Sequence, residues 1–140
     1  MSSGFVHLHT HSSYSPMWGI PTLEALCQAA RTQGQDRLAL TDTNGLYGAI
    51  RFLEVAKHEG LKPILGAELV HKAHRAVLLA KTPAGYANLC RLLSARHEES
   101  TFDFIAAVAR YRAGLIILSD DLSALRTWRK DSPKDVYVEL

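Results

Sequence analysis

Three histidines occupy alternate positions in His7-Leu8-His9-Thr10-His11, near the start of the chain. If residues 5–9 form a strand, side chains two apart recur every ~6.7 Å on one face. His7, His9 and His11 then line one face, with Val6, Leu8 and Thr10 on the other. Two imidazoles spaced i and i+2 near a strand end can lean onto one metal ion, and neutral ring nitrogens suit Zn²⁺, Mn²⁺ or Fe²⁺. Such a pair is a recurrent hydrolase arrangement, because active sites of α/β folds gather at the C-terminal ends of strands. The competing reading is a polar strand with solvated histidines. Two acids fall where a site would want them: Asp42 closes the apolar run at 38–41, and Glu68 lies inside the run at 63–69. In Thr41-Asp42-Thr43-Asn44-Gly45, Asp42 reads equally as ligand, as orienter of a histidine, or as a turn residue. Glu68, between Ala67 and Leu69, needs a partner or a metal if that run is buried.

The elements that must carry these residues alternate along the chain. Residues 5–9, 38–41, 63–69, 76–80, 115–118 and 136–140 read as strands. Helical patterns fill the intervals: 23–32 capped by Thr22 and closed by Gly34, and 46–59 stopped by Gly60. A third begins at Thr82-Pro83, a fourth covers 102–111 with Thr101 as its cap, and a fifth covers 122–130. Continuous apolar strands separated by helical crossovers predict an α/β fold with mostly parallel strands. The interval between Glu68 and Ala76 is too short for a helix, so those two strands are expected to pair as a hairpin.

Composition narrows the function classes. The chain has 140 residues, 47% of them apolar, which fits one domain with a core. Sixteen Lys and Arg against 14 Asp and Glu leave a net charge of +2, too weak to argue for nucleic acid or a membrane surface. No apolar run approaches a bilayer-spanning length, and the start carries no signal-peptide pattern. Cys27 and Cys90 form neither a disulfide framework nor a CxxC site, which suits a reducing cytoplasm. Arg110, Arg112, Arg126, Arg129 and Lys130 read as solvated helix faces, and Trp128 as core or interface. His71 and His74 fall with Lys72 and Arg75 in an expected turn, with a small phosphate-facing patch as the functional alternative.

The run from Phe5 through His9 and His11 to Ser15 resembles the opening of the polymerase and histidinol phosphatase (PHP) domain. The form it is most similar to is the domain at the N-terminus of bacterial DNA polymerase III alpha subunits and C-family error-prone polymerases. The likeness continues through Leu38-Ala39-Leu40-Thr41-Asp42, Asn44-Gly45-Leu46-Tyr47-Gly48-Ala49 and Gly60-Leu61-Lys62-Pro63-Ile64-Leu65-Gly66-Ala67-Glu68. Val77-Leu78-Leu79-Ala80-Lys81, Gly85-Tyr86-Ala87-Asn88-Leu89 and Leu115-Ile116-Ile117-Leu118-Ser119 extend it, and Val136-Tyr137-Val138-Glu139-Leu140 resembles the next strand.

That resemblance implies a distorted (β/α)7 barrel, of which residues 1–140 would be an N-terminal portion cut after its sixth strand. It also implies a zinc or manganese site at the strand ends. His9, His11 and Glu68 match ligand positions of the family, and His97 falls near another. His7, Asp42 and Asp121 are minor candidates, Asp121 as a replacement for a cysteine. The departures are Trp18, where the family has an acid before glycine, and Thr43, where it has a histidine. The reading is therefore a degraded site, holding one residual zinc or manganese ion or none, in a structural or interaction module of a DNA-replicating polymerase. The implied partners are the rest of an alpha chain and its replication partners, with DNA contacted only indirectly, in the cytoplasm. An incomplete barrel would leave an open edge prone to self-association. The alternatives are a stand-alone metal-dependent PHP phosphoesterase, in which a metal-bound hydroxide attacks a phosphate ester, and, with support only in the first strand, a barrel hydrolase of amides.

Overall fold

The computed structural model describes residues 4–140. They divide into two compact units, one ending at Ala67 and the other formed by Glu68–Leu140. Five strands of the described residues, β1 (Arg37–Leu40), β2 (Lys62–His71), β3 (His74–Ala80), β4 (Leu115–Ser119) and β5 (Val136–Val138), follow one another in that order in a mixed α/β arrangement. Two of the three registered pairings, β1–β2 and β4–β5, are parallel, and β3–β4 is antiparallel.

In the first unit, α1 (Leu23–Thr32) begins where the Thr22 hydroxyl accepts a hydrogen bond from Ala25 N–H. Its buried stripe is Leu23, Cys27 and Ala30, at the i, i+4, i+7 spacing of a single helix face. The strand β1 (Arg37–Leu40) buries its last three residues, and α2 (Ala49–His58) buries Ala49, Phe52, Val55 and Ala56. Parallel strands need a crossover, and α2 supplies it between β1 and the start of β2 (Lys62–His71). The core so formed gathers Leu38, Leu40 and Leu61 with Cys27, Phe52 and Val55. Burial pushes the Cys27 thiol up to about 11, with Glu59 and Glu24 adding to the effect, so Cys27 is packing and not a nucleophile. The helix α2 starts three residues later than the sequence pattern predicts. Residues 43–48 are spent on a turn with Asn44 at φ 53°.

In the second unit, β2 and β3 (His74–Ala80) are joined by Lys72 and Ala73 alone, with Lys72 at φ 54°. This is the expected hairpin, and His71 and His74 lie on its strands, leaving just those two residues as the turn. α3 (Pro83–Glu98) carries proline in its first turn under the Thr82 cap. The next helix, α4 (Phe104–Tyr111), is capped by Asp103 and not by Thr101. The reason is packing: burial of Phe104 sets the first turn, and Asp103 is the residue then placed to accept from Ala106 N–H. β4 (Leu115–Ser119) and β5 (Val136–Val138) flank α5 (Leu122–Asp131), whose Trp128 is fully buried and donates its indole N–H to Ile105 C=O. Arg112 donates to the carbonyls of Trp128, Ser132 and Lys134, so it closes the end of α5 and is not a free surface cation. No helix of the described residues is long and apolar enough to cross a membrane.

Candidate metal centre

The histidine segment is not a regular strand. His7 C=O accepts from Ala39 N–H at 3.1 Å, and Thr10 C=O accepts from Thr41 N–H at 2.9 Å. Three residues of the segment thus advance against two of β1, which breaks the ladder as a bulge does. Thr10 seals the offset, its N–H donating to Thr41 Oγ1 at 2.8 Å and its hydroxyl to Ala39 C=O. The consequence for the site is direct. His9 and His11 remain together, half-buried, with ring centroids 5.1 Å apart, edge to face, and Nε2 atoms shielded from solvent. His7 is exposed and packs its ring on Phe5, so the expected row of three histidines is a row of two.

Asp42 explains how the pair is held. Its carboxylate is buried and accepts hydrogen bonds from Ser12 N–H (2.7 Å), Ser12 Oγ (2.8 Å) and Ser15 Oγ (2.7 Å). Both oxygens are engaged, and Thr43 N–H completes the knot by donating to Ser15 Oγ. Asp42 therefore positions the backbone that follows His11 and is not a member of the metal-competent group. The loop beyond folds back on itself through Trp18 and Gly19 N–H groups bonded to Ser15 C=O. A Cβ at Gly19 would lie 2.0 Å from Ser12 C=O, so only glycine lets the loop close against the histidine segment. Trp18 sits edge-on to His11 at 6.5 Å and is 72% exposed, flanking the ring without burying itself in the site.

Glu68 lies on β2 between Ala67 and Leu69, both fully buried, and is itself only 4% exposed. His9, His11 and Glu68 each offer one ligand atom, all within 4.8 Å of one another. Two imidazole nitrogens and a carboxylate oxygen are a donor set that suits zinc or manganese, and the cluster could hold a metal ion. The other sequence candidates lie elsewhere. His97 is exposed in the last turn of α3. Asp121 is the N-cap of α5, accepting from Ser123 and Ala124 N–H, with its second oxygen 2.5 Å from His74 Nδ1.

His74 and Arg75, which the sequence pattern puts in a turn, are functional neighbours that local pattern does not reveal. On β3 they meet consecutive carboxylates: His74 meets Asp121, and Arg75 Nη2 donates to Asp120 at 2.7 Å. Arg75 Nε also stands 3.9 Å from Glu68 Oε1. The signal that could have found them is the doublet Asp120-Asp121, more than forty residues away and so invisible to local patterns. Two members of the suggested phosphate patch, His74 and Arg75, are thus engaged by acids, while burial, followed by the positive charges of Lys72, Arg96 and His74, holds His71 below its usual range.

The chain is similar to known proteins over most of its length. The PHP domain family model matches residues 7–132. An error-prone DNA polymerase of Symbiobacterium thermophilum is 47% identical over 94 residues, 66% of this chain and 9% of that protein. DNA polymerase III subunit alpha of Treponema pallidum is 35% identical over 140 residues, 85% of this chain and 12% of that protein. The chain therefore spans about a tenth of the length of these relatives. A structure from Bifidobacterium adolescentis, provisionally described as a metal-dependent phosphoesterase, has the same fold: TM-score 0.64 at 12% identity, covering 99% of this chain and 78% of that one.

Two outcomes follow for the residues that frame the centre. Asp42→Ala leaves three donors unsatisfied in a buried place and is expected to cost about 3 kcal/mol in urea unfolding; a cost under about 1 kcal/mol would show that the knot is dispensable. For Asp121, burial pushes its carboxyl up, but hydrogen bonds from His74, Ser123 and the α5 N-terminus outweigh this and hold it down at about 2. A depressed carboxylate stabilises the fold above its unfolded pKa of ~3.9, and that stability is lost as pH falls through the folded value. Acid unfolding of Asp121→Asn should therefore lack the part of the stability loss that the parent shows between about pH 4 and pH 2; identical acid profiles would contradict this.

Proposed function

The chain belongs to the PHP domain family, and from that premise we propose that it is the PHP module of a bacterial DNA polymerase III alpha or error-prone polymerase, acting in structure or interaction. Its strands would then be part of a distorted (β/α)7 barrel within a much longer chain, a reading supported by relatives about ten times its length. Its partners would be the remaining parts of that polymerase and the replication machinery in the cytoplasm. DNA would be met only through them.

The observation that carries the reading is the size of the metal-competent group. Among the described residues it contains His9, His11 and Glu68 and no fourth donor. Trp18 and Thr43 stand where the family resemblance calls for ligands, and neither is a metal donor of that kind. A divalent ion held by His9, His11 and Glu68 would act as a Lewis acid and would polarise water or a phosphoryl oxygen. Around it this chain supplies the knot of Asp42 with Ser12 and Ser15, which fixes the His11 backbone, and the indole of Trp18 beside the His11 ring. No further His, Cys, Asp or Glu of the described residues belongs to this group. Efficient phosphoryl chemistry in such sites draws on paired metals or a positioned acid–base group. These features support a structural role.

The intact donor triad keeps the second reading, a metal-dependent phosphoesterase, open to direct assay. The test is hydrolysis of p-nitrophenyl phosphate by the whole chain with Zn²⁺ or Mn²⁺. The expected rate equals that of the His9→Ala variant and of free metal. Hydrolysis that His9→Ala abolishes would overturn the structural role.

A further inference from the structure

Glu68 presents a physical problem that the metal-site reading alone does not solve. A carboxylate whose side chain is 5% exposed is costly to keep charged without a compensating cation. On the neighbouring strand β3, Arg75 directs Nε to within 3.9 Å of Glu68 Oε1. The guanidinium does not wander, because its Nη2 is anchored on Asp120 Oδ2 at 2.7 Å. The backbone beneath it is fixed as well. Ser119 Oγ donates to Arg75 C=O at 2.6 Å, and the preceding residue, His74, is tied to Asp121 and stacked on Phe104. Two consecutive residues of β3 thus grip two consecutive acids after β4, which fixes where the guanidinium lies.

We propose that Arg75 is a built-in cation that stands in for metal charge at Glu68, keeping this carboxylate buried without an ion and making an incoming divalent ion compete with a fixed positive charge. The proposal rests on the reading that His9, His11 and Glu68 are the residual metal-binding group. A guanidinium stays charged at every accessible pH and presents its donors as a rigid fork, so it can serve Glu68 and Asp120 together. An ion held by Glu68 would face that fork, and the repulsion would be only partly screened, because Glu68 is withdrawn from solvent while the Arg75 side chain is 43% exposed. Arg75 is thus a positioning residue for Glu68. It sets both the stability of the ion-free fold and the affinity for a metal.

The test compares the parent chain with Arg75→Met, which keeps an apolar stem and loses the charge, and Arg75→Lys, which keeps the charge. Thermal unfolding is followed in chelator and in Zn²⁺, and Zn²⁺ binding is measured by titration calorimetry. The parent should melt at nearly the same temperature in both conditions. Arg75→Met should melt lower in chelator, recover in Zn²⁺, and bind Zn²⁺ about tenfold tighter, as removal of one nearby like charge requires. Arg75→Lys should follow the parent. If Arg75→Met fails to fold in chelator, Arg75→Gln carries the same comparison, and refolding of either on Zn²⁺ addition supports the proposal. Zn²⁺ affinity equal to or weaker than the parent's in both uncharged variants overturns it while leaving the three-residue site standing. Absence of Zn²⁺ binding in every protein, or tight binding that His9→Ala leaves intact, instead refutes the site itself, and the role of Arg75 falls with it.

Discussion

The buried carboxylate of Asp42 is the constraint on which the first unit's chemistry depends. A polar group with almost no solvent contact must find its hydrogen bonds inside the protein, and Asp42 finds three, from Ser12 and Ser15. Those bonds draw residues 12–15 onto the end of β1. The histidine segment, already offset by its bulge, is thereby held so that His9 and His11 stand edge to face. The Ser12–Gly19 loop then has room to close only because residue 19 has no side chain. Asp42, a minor ligand candidate in the sequence, thus holds the backbone that follows His11.

The second unit solves a related problem by pairing acids with bases. Asp120 and Asp121 follow β4, and each takes a partner from the first two residues of β3. Asp121 also caps α5, so one carboxylate fixes a helix start and a strand position together. Glu68 joins the same set through Arg75. Charge is thereby balanced within this unit, because Glu68, Asp120 and Asp121 each stand beside a basic side chain of β3. The pattern is that of a fold stabilised by its own side chains.

Much of this was legible in the sequence, and the misses have physical causes. Thr22 and Gly34 bracket α1 as local capping chemistry predicts, and the short interval after Glu68 predicts the hairpin. His9, His11 and Glu68 were readable from residue type and position, and the structure brings them together. Alternation is local and predicts a plain strand for the histidine segment, whereas its bulge depends on Thr10 meeting Ala39 and Thr41 from a distant part of the chain. The α4 cap was misread because Thr101 and Asp103 are both competent caps, and the choice is made by burial of Phe104. The roles of His74, Arg75 and Asp121 were out of reach for the same reason: each is defined by a partner more than forty residues away.

In this PHP-family chain His9, His11 and Glu68 offer ligand atoms within 4.8 Å of one another, and on the proposed function they are a centre for a single ion. The measurement that tests this most directly is the number of metal ions bound per chain, by equilibrium dialysis against Zn²⁺ and Mn²⁺ followed by elemental analysis. The account predicts at most one ion per chain, lost in His9→Ala and in Glu68→Gln. Two or more tightly held ions per chain would contradict it.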